Sequence, residues 1–372
     1  MMSWNRRDFV QLIGAATLGS RSAFSSEASS THSGNAGFAY VGCSGDKPDA
    51  IEVFAIRAGQ WHAIQTVKSE RPSSLALSAD KRFLYVANAV SQYKGLPTGT
   101  VEAFTVARDG KLKLVNRQML SLSATIPKHL AISPNGQTLV VTAQGGAVYN
   151  LLPIADDGSV GRATGILKET GANENTARLQ MAIFDDTGRI VGADQGTGRI
   201  SVMATNDDGL AEPARHVIES GSGPLQIALH PRANALYVAH EDCLQFYQYD
   251  RGTGKLLGLK QHVPSVGVAD GSNALAIHPS GEMMLACNRD RGISAWKIEQ
   301  SSGTLRSAGR QAEELGQLRA IEVSDDGTSL LAINHDRGLV FGATIDAATG
   351  CVGKSRTLAR VNSPKSLAVI YS

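Results

Sequence analysis

The stretch P-S-S-L-A-L-S-A-D-K-R-F-L-Y-V-A-N, from Pro72 to Asn88, is one copy of a pattern that the chain repeats seven times. A small or proline-containing opening leads into an apolar run, then a polar turn, then a second apolar run that ends in polar residues. The next copy, P-K-H-L-A-I-S-P-N-G-Q-T-L-V-V-T-A-Q, runs from Pro127 to Gln144. The remaining copies begin at Ala177, Pro224, Asn273, Leu318 and Pro364. Strand-turn-strand units that recur about every 50 residues are typical of the blades of a β-propeller.

The two ends of the repeat region complete one another. The last copy, P-K-S-L-A-V-I-Y-S from Pro364 to Ser372, has only a first strand, whereas F-A-Y-V-G-C-S from Phe38 to Ser44 is a second strand without a first. We predict that the C-terminal strand becomes the innermost strand of the blade that begins at Phe38, which removes an open sheet edge. The expected fold is therefore an all-β, seven-bladed β-propeller of four-stranded blades, in one domain over residues 37–372.

The first 36 residues do not share the repeat. The pair Arg6-Arg7 precedes the short apolar segment L-I-G-A-A-T-L-G-S, and a Ser-rich linker follows from Ser25. This layout predicts a Tat-type export signal over residues 1–36, with the Tat machinery as a partner and the periplasm as the destination. The alternative is an accidental arginine pair in a disordered tail. The apolar segment is shorter than the ~20 residues that a membrane span needs.

Composition argues against several classes of protein. The 36 Lys and Arg residues nearly balance the 34 Asp and Glu residues, for a net charge of +2, and without a basic run nucleic acid is not an expected partner. Aromatic residues make up 5%, which argues against a sugar-stacking lectin. The four cysteines lack C-x-x-C or Cys/His spacing, so we expect unpaired, mostly buried thiols, no metal site and no cofactor. We expect a monomer.

The topology of a blade predicts where a functional site would lie. The first strand crosses from one face of the disc to the other and the second strand returns, so first-strand starts and second-strand ends share one face around the central channel. The polar residues at the starts are Lys128, His129, Arg178, Gln180, Gln226, Asn273, Arg319 and Lys365. Those at the ends are Asn88, Gln144, Asp194, His240, Glu241, Asn288, Arg289, Asn334 and His335. Convergent polar groups around a concave mouth suit a small-molecule site, and the cations suit an anionic substrate.

Structural roles compete with this hypothesis, because strand ends and turns are polar in every β-protein. Asp194, Asn88 and Asn334 could cap turns. His230 and His278 precede proline in the turns of the opposite face, where we expect them to be surface residues.

Several of these motifs resemble the seven-bladed propeller lactonase family, which includes cycloisomerase-type 6-phosphogluconolactonases and carboxymuconate cyclases. The resemblance covers Phe38 to Ser372, and its motifs are L-Y-V-A-N, P-K-H-L-A-I-S-P-N-G, D-D-T-G-R-I-V-G-A-D-Q-G-T-G-R, L-Y-V-A-H-E-D and L-A-C-N-R-D. The positions that match the family pattern are His129, Asp194, Gly196, Glu241, Asn288, Arg289 and Arg319.

The chain also departs from the family pattern. Where the fourth unit of the family usually carries P-H-x-H, this chain reads A-R-L-Q from Ala177 to Gln180, so both histidines are absent. The usual G-P-R-H of the fifth unit reads G-P-L-Q from Gly223 to Gln226, and the A-N-Y of the third unit has become Thr142-Ala143-Gln144. The resemblance therefore implies the fold fully and the catalytic residues in part.

The chemistry that the resemblance implies is ring-opening hydrolysis of a sugar lactone of the 6-phosphogluconolactone type or of a related anionic lactone, or the reverse ring closure. Such a site needs a base for water, donors for the oxyanion and cations for the anionic group. The candidate catalytic residues are Glu241 or His129 as base, with Arg289 and Arg178 as electrostatic stabilisers. The candidate substrate-binding residues are Arg319, Lys365, Asn288, Asp194, Gln226 and His335.

The alternative is a non-catalytic periplasmic propeller that binds a ligand or an envelope protein on its channel face. A redox propeller with quinone or metal is a third option without a supporting motif.

Overall fold

The computed structural model describes residues 36–171, 176–206, 209–210, 214–217, 223–264, 274–288 and 292–371. The predicted leader lies outside these residues except for Ala36. In the N-terminal part the strands are β1 (Gly37–Cys43), β2 (Ala50–Arg57), β3 (Gln60–Lys68), β4 (Pro72–Leu77), β5 (Phe83–Asn88), β6 (Thr100–Val106), β7 (Leu112–Met119), β8 (Thr125–Ile132), β9 (Thr138–Gly145), β10 (Val148–Pro153) and β11 (Gly165–Lys168).

The central part continues with β12 (Leu179–Phe184), β13 (Ile190–Asp194), β14 (Arg199–Met203), β15 (Thr205–Asn206), β16 (Gly209–Leu210), β17 (Ala214–Val217), β18 (Pro224–Leu229), β19 (Ala235–His240), β20 (Cys243–Asp250) and β21 (Lys255–Pro264). The C-terminal part contains β22 (Leu275–Ile277), β23 (Met283–Cys287), β24 (Ile293–Ile298), β25 (Leu305–Gln311), a short 3-10 helix (Glu313–Leu315), β26 (Ala320–Val323), β27 (Ser329–Asn334), β28 (Leu339–Asp346), β29 (Cys351–Val352), β30 (Arg356–Arg360) and β31 (Pro364–Tyr371).

Within the described residues these strands form seven antiparallel blades, beside the small β15–β16 pair. Blade 1 has the order β31-β1-β2-β3, and blades 2 to 6 begin with β4, β8, β12, β18 and β22 as their innermost strands. Blade 7 begins with β26, and both β29 and β30 pair with its third strand, β28. The C-terminal strand pairs with β1, with Val41 opposite Leu367. The predicted all-β, seven-bladed propeller, closed by its two terminal strands, is confirmed.

The apolar core lies between the blades. Seven hydrophobic clusters occur in the described part of the chain, one for each pair of neighbouring blades. On β1, Tyr40 shares a cluster with Leu84 of blade 2, while the next residue, Val41, shares a cluster with Ile333 of blade 7. Since successive side chains on a strand point to opposite faces of the sheet, each blade buries one face against each neighbour.

The entries of the innermost strands are irregular in a repeated way. The pairing of five innermost strands with their second strands shifts register by skipping one residue near the strand entry: Ser73 in β4, Lys128 in β8, Gln180 in β12, Leu225 in β18 and Lys365 in β31. Such β-bulges re-aim side chains and are common next to binding sites. In three consecutive blades the residue before the entry proline also has a positive φ: 45° at Arg71, 53° at Ile126 and 46° at Ser363. Left-handed backbone is costly for non-glycine residues, above all for a β-branched one such as Ile126.

On the opposite face, two histidines join neighbouring blades, so the expectation that they are surface residues is wrong. His230 is 1% exposed and its Nε2 lies 2.9 Å from the carbonyl oxygen of Gly281 in blade 6. His278 is 8% exposed and its Nε2 lies 2.8 Å from the carbonyl oxygen of Gly327 in blade 7. Each Nδ1 accepts backbone N–H groups of its own turn. Each imidazole therefore joins the turn of its own blade to the turn of the next blade, with Nε2–H donating to that neighbour. These contacts of His230 and His278 are here called the inter-blade clasp.

Candidate functional site

A cavity of about 190 Å³, here called the channel mouth, lies where the innermost strands begin. Four cationic side chains line it, one from each of the four consecutive blades 7, 1, 2 and 3: Arg319, Lys365, Arg71 and Lys128. None of the lining residues that the structure describes is acidic. The buried amides of Gln180 and Gln226 lie at the same mouth. The channel mouth is thus a polar pocket of positive charge, as an anionic ligand requires.

The electrostatics of the mouth fit this description. The pKa of Lys365 is lowered, first by burial and then by repulsion from Arg319 and Arg71, with Asp336 acting in the opposite direction. His335 lies beside this lysine, with Nδ1 3.1 Å from the carbonyl oxygen of Pro364 and Nε2 3.3 Å from Nζ of Lys365. Burial and then the charges of Lys365 and Arg319 lower the pKa of His335, against the raising effect of its hydrogen bond to Pro364. A neutral His335, with Nδ1–H donated to Pro364, leaves Nε2 as the acceptor that orients the lysine.

A second cavity, here called the inner chamber, measures about 340 Å³ and is lined by β4, β8 and β31, the innermost strands of three consecutive blades. His129 lines it together with Ser74 and Ser366. Burial lowers the pKa of His129 to about 4, against the opposing effect of a hydrogen bond to the backbone of Ala182. The imidazole is therefore neutral at neutral pH.

The candidate base Glu241 lies on the exposed rim and is joined to the mouth through two amides. Nε2 of Gln195 donates to Oε1 of Glu241 at 3.1 Å, and Nε2 of Gln180 donates to Oε1 of Gln195 at 2.5 Å. The exposed Arg178 belongs to the same rim, since its carbonyl oxygen accepts the N–H of Gln195 at 3.0 Å. The two candidate bases therefore lie at different levels, with Glu241 at the rim and His129 in the channel.

The structure brings Arg319, Lys365 and Gln226 together at the mouth, with His335 beside them. Asp194 and Asn288 are placed differently. The carboxylate of Asp194 is 2% exposed and accepts hydrogen bonds from Arg178 N, Gly196 N and the Thr197 hydroxyl. The amide of Asn288 is buried and donates to Ser294 of its own blade at 3.0 Å. Arg289 lies outside the described residues.

Sequence reasoning missed several residues of the mouth. Arg71, Ser73 and Ile126 line it and come from the entries of blades 2 and 3, and Ser44 comes from the end of β1. Arg71 and Ile126 precede the entry prolines rather than follow them, so a search of the first-strand starts passed over them. The shared X-Pro opening at Pro72, Pro127 and Pro364 was the signal that could have found this position.

The remaining chemical features are few. The cysteines are all free, with Cys43, Cys243 and Cys287 buried and Cys351 exposed. In the described ranges no group of His, Cys, Asp and Glu is arranged to hold a metal ion. No helix within the described part of the chain is long and apolar enough to cross a membrane.

Comparison with known proteins gives consistent results. The family profile "Lactonase, 7-bladed beta-propeller" matches residues 38–369. A 6-phosphogluconolactonase of Bacillus subtilis (strain 168) is 22% identical over 296 residues, which cover 76% of this chain and 82% of the relative. One from Pectobacterium carotovorum subsp. carotovorum (strain PC1) is 24% identical over 312 residues, which cover 81% and 89%. The structure of a periplasmic gluconolactonase of Pseudomonas aeruginosa superposes with a TM-score of 0.79 at 20% identity, over 90% of this chain and 99% of that one.

Proposed function

The chain belongs to the seven-bladed β-propeller lactonase family, and on this premise we propose that it hydrolyses a lactone that carries a carboxylate or phosphate group. The relatives named 6-phosphogluconolactonase and gluconolactonase support a sugar lactone as the substrate class.

The observation that carries the proposal is the set of four cations at the channel mouth. Arg71, Lys128, Arg319 and Lys365 place four like charges around one small cavity, and repulsion among like charges favours the entry of a negative charge. The pKa of Lys365 is lowered first by burial and then by the charges of Arg319, Arg71 and Lys128, which reports that repulsion. A bound carboxylate or phosphate relieves it and gains charge-assisted hydrogen bonds.

For the reaction, we assign the base to Glu241. Its carboxylate is exposed, so water reaches it, and the Gln195–Gln180 pair holds it at a fixed position relative to the mouth. Water attacks the lactone carbonyl carbon as Glu241 takes up its proton. The ring C–O bond then breaks, and the ring oxygen receives that proton and leaves as the alcohol of the hydroxy acid.

The developing oxyanion needs a donor, and we assign this role to Arg178, which lies on the same rim as Glu241. Arg289 remains a predicted second stabiliser. The family's usual P-H-x-H histidines are replaced by Arg178 and Gln180, so this chain would use a guanidinium and an amide where those relatives have imidazoles.

We further propose that the protein works in the periplasm after Tat export. The twin arginines Arg6 and Arg7 support this, and so does the periplasmic location named for the Pseudomonas aeruginosa relative. In that compartment lactones that carry a carboxylate, derived from sugar acids or from aromatic degradation, are more accessible than a phosphorylated cytoplasmic intermediate.

The test of the function is lactone hydrolysis by the mature protein, followed as proton release at neutral pH. The substrates are 6-phosphogluconolactone, gluconolactone and a muconolactone. We expect turnover that Glu241→Gln abolishes and Lys365→Met weakens for the anionic substrates. If the folded protein hydrolyses none of the three lactones faster than their spontaneous rate, the proposal is refuted and a non-catalytic binding module is favoured.

A further inference from the structure

The channel mouth is lined by apolar side chains as well as by cations. Pro72, Ala89 and Ile126, here called the apolar shelf, line it and come from the neighbouring blades 2 and 3. Arg71 directly precedes Pro72 in blade 2. Lys128 follows Ile126 by two residues in blade 3, so a cation of the mouth flanks the shelf in each blade. A ligand whose acid group is held by these cations therefore has apolar protein surface beside it.

Ile126 is the exposed member of the apolar shelf. It is 37% exposed, and it is one of seven large hydrophobic residues that are exposed in the described part of the chain. Of those seven, it is the one that lines the channel mouth. A single exposed isoleucine on a convex surface needs no explanation. In a concave cavity, the same side chain offers apolar area that a bound ligand covers.

The backbone at Ile126 is unfavourable for this residue type. Its φ is 53°, which is left-handed for a β-branched residue, and it precedes Pro127, where extended backbone is preferred. The N–H of Ile126 donates to the carbonyl oxygen of Val90 at 2.9 Å. The carbonyl oxygen of Pro127 accepts the hydroxyl of Ser73 at 2.8 Å, so this entry is fixed on both sides. Asparagine or glycine would adopt this conformation at a lower cost. A strained isoleucine that lines a cavity indicates that its side chain serves the ligand.

The polar side chains of the mouth are mostly hydrogen-bond donors. Arginine and lysine donate and do not accept, and no acidic residue lines the mouth within the described ranges. The lining side chains that can accept are Ser44, Ser73, Gln180 and Gln226. A polyhydroxylated acid brings many O–H donors, and the mouth offers few side-chain acceptors for them. An acid with an apolar skeleton needs donors for its carboxylate and apolar surface for its carbons, and the mouth supplies both.

We propose that Ile126 is a specificity-determining residue, which selects ligands whose carbon skeleton is apolar next to the acid group over polyhydroxylated acids. This inference rests on the proposed function for the anionic group at the mouth. It narrows the substrate to a carboxylated lactone with few hydroxyl groups, whereas the relatives are named for sugar lactones.

Calorimetric binding of two stable carboxylates tests the apolar shelf without turnover. Hexanoate and gluconate have the same charge and chain length, but hexanoate carries no hydroxyl group. We expect the mature protein to bind hexanoate about fivefold more tightly, as partial burial of one isoleucine side chain supplies. Ile126→Asn should remove this preference by weakening hexanoate about fivefold, with gluconate changed by less than about twofold. Ile126→Val keeps an apolar side chain and should keep most of the preference.

Ile166→Asn is the matched control, because Ile166 is also exposed and lies on the outer strand β11 of the same blade. It should keep the full preference for hexanoate. Equal affinity of the mature protein for the two ligands, or tighter binding of gluconate, would overturn the proposal. A preference that Ile126→Asn retains would do so too.

Thermal melting separates a role in ligand binding from a role in folding. Asparagine tolerates left-handed backbone, so Ile126→Asn should melt about 2 °C higher than the unmodified protein. A lower melting temperature with an unchanged preference would show that Ile126 serves the fold alone. If lactone turnover is absent but the preference for hexanoate depends on Ile126, the apolar shelf stands and the hydrolase fails. If lactones are turned over but gluconate binds more tightly, the hydrolase stands and the apolar shelf fails.

Discussion

Lys365 and Ser366 are consecutive residues of β31, yet they line different cavities: Lys365 lines the channel mouth and Ser366 lines the inner chamber. The register shift where Lys365 is skipped in the pairing with β1 accounts for this division. A bulge aims the lysine towards the opening, while the serine resumes the regular ladder. Charge recognition and the adjacent chamber are thus built from one short segment at the C-terminal end of the fold.

Removing one mouth cation should weaken the reaction of anionic lactones selectively. A charge-assisted hydrogen bond contributes about 1.5–3 kcal/mol, so Lys365→Met or Arg319→Met should lower kcat/KM for an anionic lactone about 10- to 100-fold. An uncharged lactone should change much less. Lys113→Met on the exposed outer strand β7 is the charge-matched control and should have no effect. Equal losses for charged and uncharged lactones would contradict an anion site.

Removing the base should act on kcat. General-base catalysis contributes roughly 10²–10⁴-fold, so Glu241→Gln should lower kcat by that order with KM nearly unchanged. Gln195→Leu removes the amide that orients Glu241 and should lower kcat by a smaller factor. Gln195→Glu also lacks the donor amide, so it should show the same lowered kcat. If Glu241→Gln keeps full activity while His129→Gln loses it, the base is His129. Steady-state kinetics on a single lactone decides between them.

The inter-blade clasp should be sensitive to a single methyl group. A Cβ at Gly327 would collide with the imidazole of His278, whereas nothing lies within 4 Å of a Cβ at Gly136. Both glycines have a positive φ, 74° and 73°, so both alanine variants share the backbone penalty. Gly327→Ala should therefore lose about 1–3 kcal/mol more unfolding free energy than Gly136→Ala. Urea denaturation measures the difference, and equal losses would rule out tight packing at the clasp.

Stability should fall on mild acidification because His129 is neutral in the folded state. Its pKa is about 4 when folded and about 6.5 when unfolded, so the unfolded chain takes up the proton first. The free energy of unfolding is therefore highest above pH ~6.5 and should decrease as the pH falls towards ~4, by on the order of 3 kcal/mol. The lowered pKa values of His230 and His335 act in the same direction. His129→Gln should flatten this part of the stability profile; an unchanged slope would contradict burial of the ring.

Export should depend on the arginine pair. Replacing Arg6 and Arg7 with lysines keeps the charge and removes the guanidinium groups, so the precursor should remain in the cytoplasm while the unmodified chain reaches the periplasm. Cell fractionation of a tagged protein measures this, with Arg21→Lys in the same leader as the control. Equal periplasmic amounts of both variants would show that the pair is not an export signal.

The sequence by itself determined the architecture. Seven copies of an alternating apolar pattern can bury their faces only against one another, and an orphan strand at each end of the repeat region, Phe38–Ser44 and Pro364–Ser372, can pair only with the other. Periodicity is a local property, so it is visible in the chain. The face that carries Arg319, Lys365 and Gln226 followed from strand direction alone, and the structure does bring these three to one mouth.

Only the tertiary structure decided which polar strand ends form a cavity. Asp194 ends the second strand β13 and Glu241 directly follows the second strand β19, yet Asp194 is buried in its own turn while Glu241 lies on the exposed rim. Both carboxylates come at the end of an apolar run, and the difference comes from which neighbours each carboxylate meets. Arg71 lines the mouth and itself has a left-handed backbone conformation before Pro72, which composition does not encode. Bulges and strained entries depend on packing across blades, and packing exists only once the ring has closed.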